Sequence, residues 1–270
     1  MALYQTATLL TEEHTIASAH LHRNVVISCF LPTDVKDPAR LGLLLLNDGQ
    51  NAPEMGLAGM LGDLIASHEI TPLVCIAIHA GPDRLMEYGV AARPDYKGRG
   101  ARAGAYTAFV LEELLPFIAD TFRLPGACPK YFAGFSLGGL SALDIVWNHP
   151  QVFSKAGMFS GSFWWRTKAL EEGYNENTDR IMHAQVREGK YNPGLQFFFE
   201  TGTQDETMDR NNNGVIDSID DTLSLIDELV AKGYHRSTDI HYLELPDGKH
   251  DIATWARAFP AFLKWGWGRK

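Results

Sequence analysis

The sequence predicts an α/β fold, with a mostly parallel sheet, antiparallel strands at its N-terminal edge and helices on both faces. Three observations predict it. Strand-length apolar runs alternate with helix-like segments of about ten to fifteen residues. The middle runs are apolar throughout rather than alternating, as in strands buried on both faces. The first forty or so residues read as strands.

In order, "TATLLTEEHTIASAHL" and "NVVISCFLP" are β-branched and apolar strand pieces, the second ended by Pro32. "LGLLLLNDGQ" is a buried strand stopped by Asp48-Gly49, "MGLAGMLGDLIASHEI" has helical spacing, and "PLVCIAIHAG" is a second buried strand. After the loop "YKGRGARAGA", the segment "YTAFVLEELLPFIADTF" puts Phe109, Leu114, Phe117 and Ile118 on one helical face. A short strand over 131–133, a helix after Ser136, the strand-like "KAGMFSGS" and a polar helix around 177–188 follow. The remainder reads as strand "LQFFFETGT", helix "DDTLSLIDELVAKG", strand "TDIHYLELPDG" and helix "HDIATWARAFPAFLKW". No repeat, low-complexity tract or linker divides the chain, so 1–270 reads as one domain.

The chain has 270 residues, 45% of them hydrophobic, which is long enough to bury a large core without a disulfide or structural metal. Its net charge of -9 disfavours nucleic acid or an anionic membrane as partner. Cys29, Cys75 and Cys128 are widely spaced with no C-x-x-C, and read as buried thiols. With no signal-like start and no long apolar run, the expectation is a soluble, cytoplasmic protein, although a secreted chain trimmed of its signal would read the same way.

Gly134-Phe135-Ser136-Leu137-Gly138 fits G-x-S-x-G between a predicted strand and a predicted helix. Such a turn strains the serine backbone, requires flanking glycines, and aims helix N-terminal N–H groups at a developing oxyanion. The plain alternative is a helix N-cap. A nucleophilic serine needs a base. Among ten histidines, His250 alone sits in the turn between the last strand and the last helix, where the order serine, acid, histidine would place it. His235 and His241 lie on or beside elements instead. The acid should follow the preceding strand, in "LQFFFETGTQDE"; Asp205 is the candidate and Glu206 its neighbouring rival.

With these motifs in hand, the chain resembles the esterase branch of the α/β-hydrolases, which holds enterochelin-type esterases, feruloyl esterases, S-formylglutathione hydrolases and mycolyltransferases. The resemblance rests on the ordered set "LNDGQ", "DRLMEY", "YTAFVLEELLPFIADTFR", "GFSLGG", "SGSFWW", "GTQDE" and "GKHDIATWARAFPAFLKW". It implies an α/β-hydrolase fold and Ser136, Asp205 and His250 as triad. It further implies an oxyanion hole from the backbone N–H groups of Leu137 and Gln50. By the same likeness, "SGSFWW" lies near the acyl or leaving-group pocket, which makes Trp164 a candidate substrate contact and Trp165 less of one. Arg84, Glu87 and Tyr88 would either bind substrate or tie down their loop, with the tie favoured.

A second signal lies at 209–220, "DRNNNGVIDSID". Asp209, Asn211, Asn213, Val215 (through its carbonyl), Asp217 and Asp220 match the 1-3-5-7-9-12 spacing of an EF-hand-type calcium loop, with Gly214 at the sharp turn. Position 12 is Asp rather than the bidentate Glu, and there is a single loop. A structural Ca2+ is expected, the plain alternative being a solvated Asn/Asp-rich turn.

The expectation is therefore a serine carboxylic-ester hydrolase acting on a small acyl or aryl ester through an acyl-enzyme, with no organic cofactor. The rivals are an acyltransferase on the same triad and a non-catalytic ligand-binding protein on a hydrolase scaffold.

Overall fold

A computed structural model describes residues 4–5, 8–35, 37, 41–126 and 128–269. The strands are β1 (Tyr4–Gln5), β2 (Leu9–Ser18), β3 (Arg23–Pro32), β4 (Gly42–Asn47), β5 (Leu73–Ile78), β6 (Lys130–Phe135), β7 (Lys155–Phe159), β8 (Gln196–Gln204) and β9 (Ile240–Lys249). They form one sheet in the order β1-β2-β3-β5-β4-β6-β7-β8-β9. The β2–β3 hairpin runs in register from Leu9↔Pro32 to Ser18↔Arg23, and β3 joins β5 antiparallel. From β5 to β9 every neighbour is parallel. β4 and β5 are buried at every position, which is what their unbroken apolar runs require.

The helices are α1 (Leu57–Ala66), α2 (Arg84–Glu87), α3 (Ala103–Ala108), α4 (Leu115–Phe122), α5 (Leu137–Asn148), α6 (Glu176–Asp179), α7 (Ile181–Glu188), α8 (Asp217–Lys232) and α9 (Ile252–Trp267). Two apolar layers sandwich the sheet. One gathers Phe109, Leu114, Ile118, Leu140, Val146, Val186 and Leu229 from α3 to α8. The other packs Leu61 and Ile65 of α1 with Trp255, Phe259 and Phe262 of α9. This is the α/β-hydrolase fold.

The long helix expected from residue 106 differs in one respect. It starts at Ala103 and passes through a π-helical stretch, Phe109–Leu114, before α4. Pro116 follows directly; it has no N–H and its ring would collide with the carbonyl four residues back, and a wider turn relieves both. Phe109, Leu114 and Ile118 are buried and Phe117 is half-buried, as the spacing predicts. Cys29, Cys75 and Cys128 are buried free thiols, with burial pushing the Cys29 thiol up to about 12. No helix among the described residues is long and apolar enough to cross a membrane.

Candidate active site

β4, β6, β7, β8 and β9 end at the same sheet edge, and the candidate residues come from the turns that leave it. Ser136 follows β6 with φ 53° and ψ −121°, a region that bulky residues avoid, and α5 begins at the next residue. The flanking glycines are required by contact. A Cβ on Gly134 would lie 2.4 Å from the carbonyl of Gly138, and one on Gly138 would lie 2.7 Å from Asp48 Oδ2. The Ser136 N–H donates to the Phe159 carbonyl at 2.8 Å, which fixes the bend against β7. Its hydroxyl lies 3.3 Å from that of Ser162.

The Asn47–Gln50 turn is bolted to this bend. Asn47 donates to the Gly138 carbonyl at 2.8 Å, and Tyr106 donates to Asn47 at 2.5 Å. Asp48 is buried in left-handed geometry (φ 61°), and Arg84 clamps its carboxylate with two hydrogen bonds of 2.6 and 2.7 Å. Tyr88 accepts the Asp48 N–H at 3.3 Å, and Glu87 is buried against Arg23 at 2.6 Å. Arg84, Glu87 and Tyr88 thus tie down their loop. Gln50 reaches back from this turn, its side-chain carbonyl accepting the Ala80 N–H at 2.9 Å. Leu137 is the first residue of α5, a position whose N–H has no partner within the helix.

Asp205 and His250 come from the turns after β8 and β9. Asp205 Oδ1 accepts the Ser160 hydroxyl at 3.0 Å and lies 3.9 Å from His250 Nδ1. The latter exceeds a hydrogen bond, and catalytic contacts commonly tighten only once substrate is seated. Burial pushes the Asp205 carboxyl up, against the hydrogen bond from Ser160 and the charge of His250. Burial also holds the His250 imidazole below its ordinary value; the Asp205 charge opposes this and Arg84 adds to it. Glu206 is half-buried and donates to or accepts from neither Ser160 nor His250. His241 lies near the start of β9, stacked on Phe198, and the His235 N–H bonds Asp239.

Sequence reasoning passed over Ser160 and Trp255. Ser160 follows β7 with φ 47°, a positive φ like that of Ser136 after β6. Its hydroxyl accepts the Trp255 indole N–H at 2.9 Å. Trp255 also stacks on Phe135 (5.1 Å, 21°) and meets His250 edge-on (5.3 Å, 81°). One indole therefore touches the neighbour of the serine, the support of the acid and the imidazole. Ser160 and Trp255 both lie in segments that carry the resemblance, "SGSFWW" and "GKHDIATWARAFPAFLKW", where the paired tryptophans and His250 outweighed them. Trp164 is half-buried with the Arg99 guanidinium 4.8 Å above its ring, whereas Trp165 is fully buried against Gly89 and Gly100.

The Asn/Asp-rich loop is folded around itself. Asp209 accepts the N–H groups of Asn213 (3.1 Å) and Gly214 (2.9 Å), and Asn213 accepts that of Val215 at 2.8 Å. The side-chain amides of Asn211 and Asn213 both reach Asp220, at 2.9 and 3.2 Å. Asp217 is turned elsewhere, because Arg210 takes its carboxylate through a backbone hydrogen bond (2.9 Å) and an ion pair (3.2 Å). Among the described residues no three His, Cys, Asp or Glu side chains gather as a ready metal site; the loop's converging groups are two carboxylates and two amides.

A sheet with a strained serine at its carboxyl edge is the arrangement of a serine hydrolase. The chain belongs to the family described as "Putative esterase", whose model matches residues 18–265. It is 22% identical, over 94% of its length and 95% of the relative's, to the uncharacterized protein YjcH of Bacillus subtilis. Its fold is similar to that of the Shigella flexneri enterobactin esterase (TM-score 0.74, 20% identity), of which it covers 58% while 94% of this chain is covered. It is also similar to the siderophore hydrolase EstB of Aspergillus nidulans (TM-score 0.69, 17% identity, 100% of this chain and 99% of the other). A ferulic acid esterase matches at TM-score 0.69 and 18% identity over 96% of this chain and 97% of its own.

Proposed function

We propose that the chain hydrolyses a small aryl or acyl ester through an acyl-enzyme on Ser136. The observation that carries this reading is the strained Ser136 bend, held by glycine contacts at the mouth of α5. Ser136 Oγ attacks the ester carbonyl while His250 takes its proton. The N–H groups of Leu137 and Gln50 receive the oxyanion, and His250 returns the proton to the leaving alcohol. Water, deprotonated by the same imidazole, then releases the acid. Asp205 orients the ring and offsets its positive charge. Trp164, half-buried and carrying on one face the Arg99 guanidinium that Asp95 holds, is the candidate contact for an aromatic group. Enterobactin and ferulic acid, named for the structural relatives, support an aryl ester as the first substrates to try.

The test is turnover of p-nitrophenyl acetate and a feruloyl ester. A burst of p-nitrophenol is expected, and Ser136→Ala should lower kcat by on the order of 10⁴ to 10⁶. Near-normal turnover in that variant would overturn the reading. Added glycerol as acceptor separates hydrolysis from acyl transfer.

We also infer a structural calcium ion in the 209–220 loop, held by Asp209, Asn211, Asn213, the Val215 carbonyl and Asp220. What supports it is the calcium-loop spacing together with the gathering of the Asn211 and Asn213 side chains at Asp220, while their amide oxygens accept the Asn213 and Val215 N–H groups that wind the loop. Asp217 is left out of this set because Arg210 holds it.

A further inference from the structure

Glu200 is a buried carboxyl that the proposed mechanism does not use. It lies in β8 in register with Phe159 of β7 and Leu243 of β9, two residues beyond Phe198 and hence on the same face of the sheet. Phe198, Phe159, Trp255 and Phe259 make that face an apolar layer. Glu200 is 1% exposed, and neither of its carboxyl oxygens has a hydrogen-bond partner. A bare carboxylate in such a layer is costly, and a group placed this way stays neutral unless paired. Ser160 links Glu200 to a second acid, giving its N–H to the Glu200 backbone carbonyl at 2.8 Å and its hydroxyl to Asp205, and that acid has the matching gap. Asp205 Oδ1 is engaged by Ser160 and faces His250, but Asp205 Oδ2 is buried with no hydrogen bond; the Ser218 hydroxyl, also buried without one, is a second donor near this carboxylate.

We propose that Glu200 is a neutral carboxylic acid whose proton is directed to the free oxygen of Asp205, so that the two carboxyls carry one negative charge. Glu200 is then a positioning residue acting through Asp205, and its catalytic consequence rests on Asp205 being the triad acid. The surroundings agree. From β7 only the Ser160 backbone N–H favours the charged form, and from α9 Arg257 does so; burial and the Asp205 charge outweigh both and push Glu200 up to about 8. From β9 the apolar Leu243 lies beside it on the same face, while Tyr242 and Glu244 project to the opposite face of the sheet.

The sign of the pH dependence follows. As pH rises from the ordinary carboxyl value near 4.5 towards 8, the unfolded chain releases this proton and the folded chain keeps it, so the group removes stability across that window. Glu200→Gln cannot titrate. Its melting temperature relative to the parent protein should therefore climb from pH 5 to pH 8.5, and the climb should shrink when Asp205→Asn is added. An offset independent of pH would overturn the neutral carboxyl. Glu200→Leu keeps the apolar fit without a donor, and its kcat should fall about tenfold with KM little changed, the scale of one lost hydrogen bond to a carboxylate. Parent-like kcat in the leucine variant would overturn the shared proton. Full activity in Asp205→Asn alone would instead remove Asp205 from the mechanism and leave the melting series to judge the carboxyl pair.

Discussion

The Ser160 hydroxyl donates to Asp205 across 3.0 Å while accepting the indole N–H of Trp255 across 2.9 Å. A hydroxyl has one proton, so the indole, which can only donate, sets the direction of the relay and leaves the serine proton for the carboxylate. The left-handed backbone at Ser160 keeps the hydroxyl at that junction.

Ser160→Ala should therefore lower kcat roughly ten- to a hundredfold, the scale of a lost hydrogen bond to a charged group, with KM nearly unchanged. Trp255→Phe keeps the stack on Phe135 but frees the Ser160 proton to turn away, and should show a smaller loss of the same kind. Steady-state kinetics on an aryl ester checks both. A change confined to KM would place Ser160 in substrate binding instead.

Asp205 and Glu206 separate by the same measurement. Asp205→Asn should cost about 10³ to 10⁴ in kcat, because the amide favours the wrong imidazole tautomer. Glu206→Gln should cost little, since Ser160 and His250 both meet Asp205. Reversed losses would move the acid by one residue.

Burial sets the direction of the pH dependence. From the sequence alone, a carboxylate partner would be expected to raise the His250 value. In the fold, burial and Arg84 outweigh Asp205, and the imidazole is held below its ordinary 6.5. The acid limb of kcat/KM should therefore lie below about pH 6.5, with Arg84→Gln moving it upward. In stability the sign is acid-sensitive. Below 6.5 the unfolded chain gains a proton that the folded chain refuses, so the native state weakens as pH falls through that window. His250→Gln should flatten this part of a melting-temperature profile.

Local signals carried most of the sheet and the serine bend. An unbroken apolar run announces a strand buried on both faces, and G-x-S-x-G leaves its glycines in plain view because Gly134 and Gly138 must touch. The supports of the site were illegible for the opposite reason. Trp255 acts on Ser160 across 95 positions and Arg84 on Asp48 across 36, and no spacing in the chain encodes such pairs. Asp217 shows the limit within a motif: its spacing suits a calcium ligand, but the adjacent Arg210, itself tied to Asp221 and Glu176, claims the carboxylate.

The 209–220 loop bears on the proposed acid. It starts four residues after Asp205 and leads directly into α8, so an ion there would brace the same excursion that carries the proposed acid. Binding to the folded chain alone stabilises it by about 2.7 kcal/mol at a hundredfold excess over Kd. Calcium should therefore raise the melting temperature more than magnesium does, because magnesium demands a tighter octahedron than two amides, a carbonyl and two carboxylates on one loop supply. A chelator should lower both the melting temperature and kcat, with a smaller effect on KM. Asp209→Ala should abolish the response, since Asp209 also holds the Asn213 and Gly214 N–H groups that shape the loop. Asp217→Asn should leave calcium affinity nearly intact, because Arg210 keeps that carboxylate away from the ion. Calorimetric titration of the metal-free protein with calcium decides between the two variants. Equal loss of affinity in both would return Asp217 to the ligand set, and no heat of binding in the parent chain would leave the loop a solvated turn.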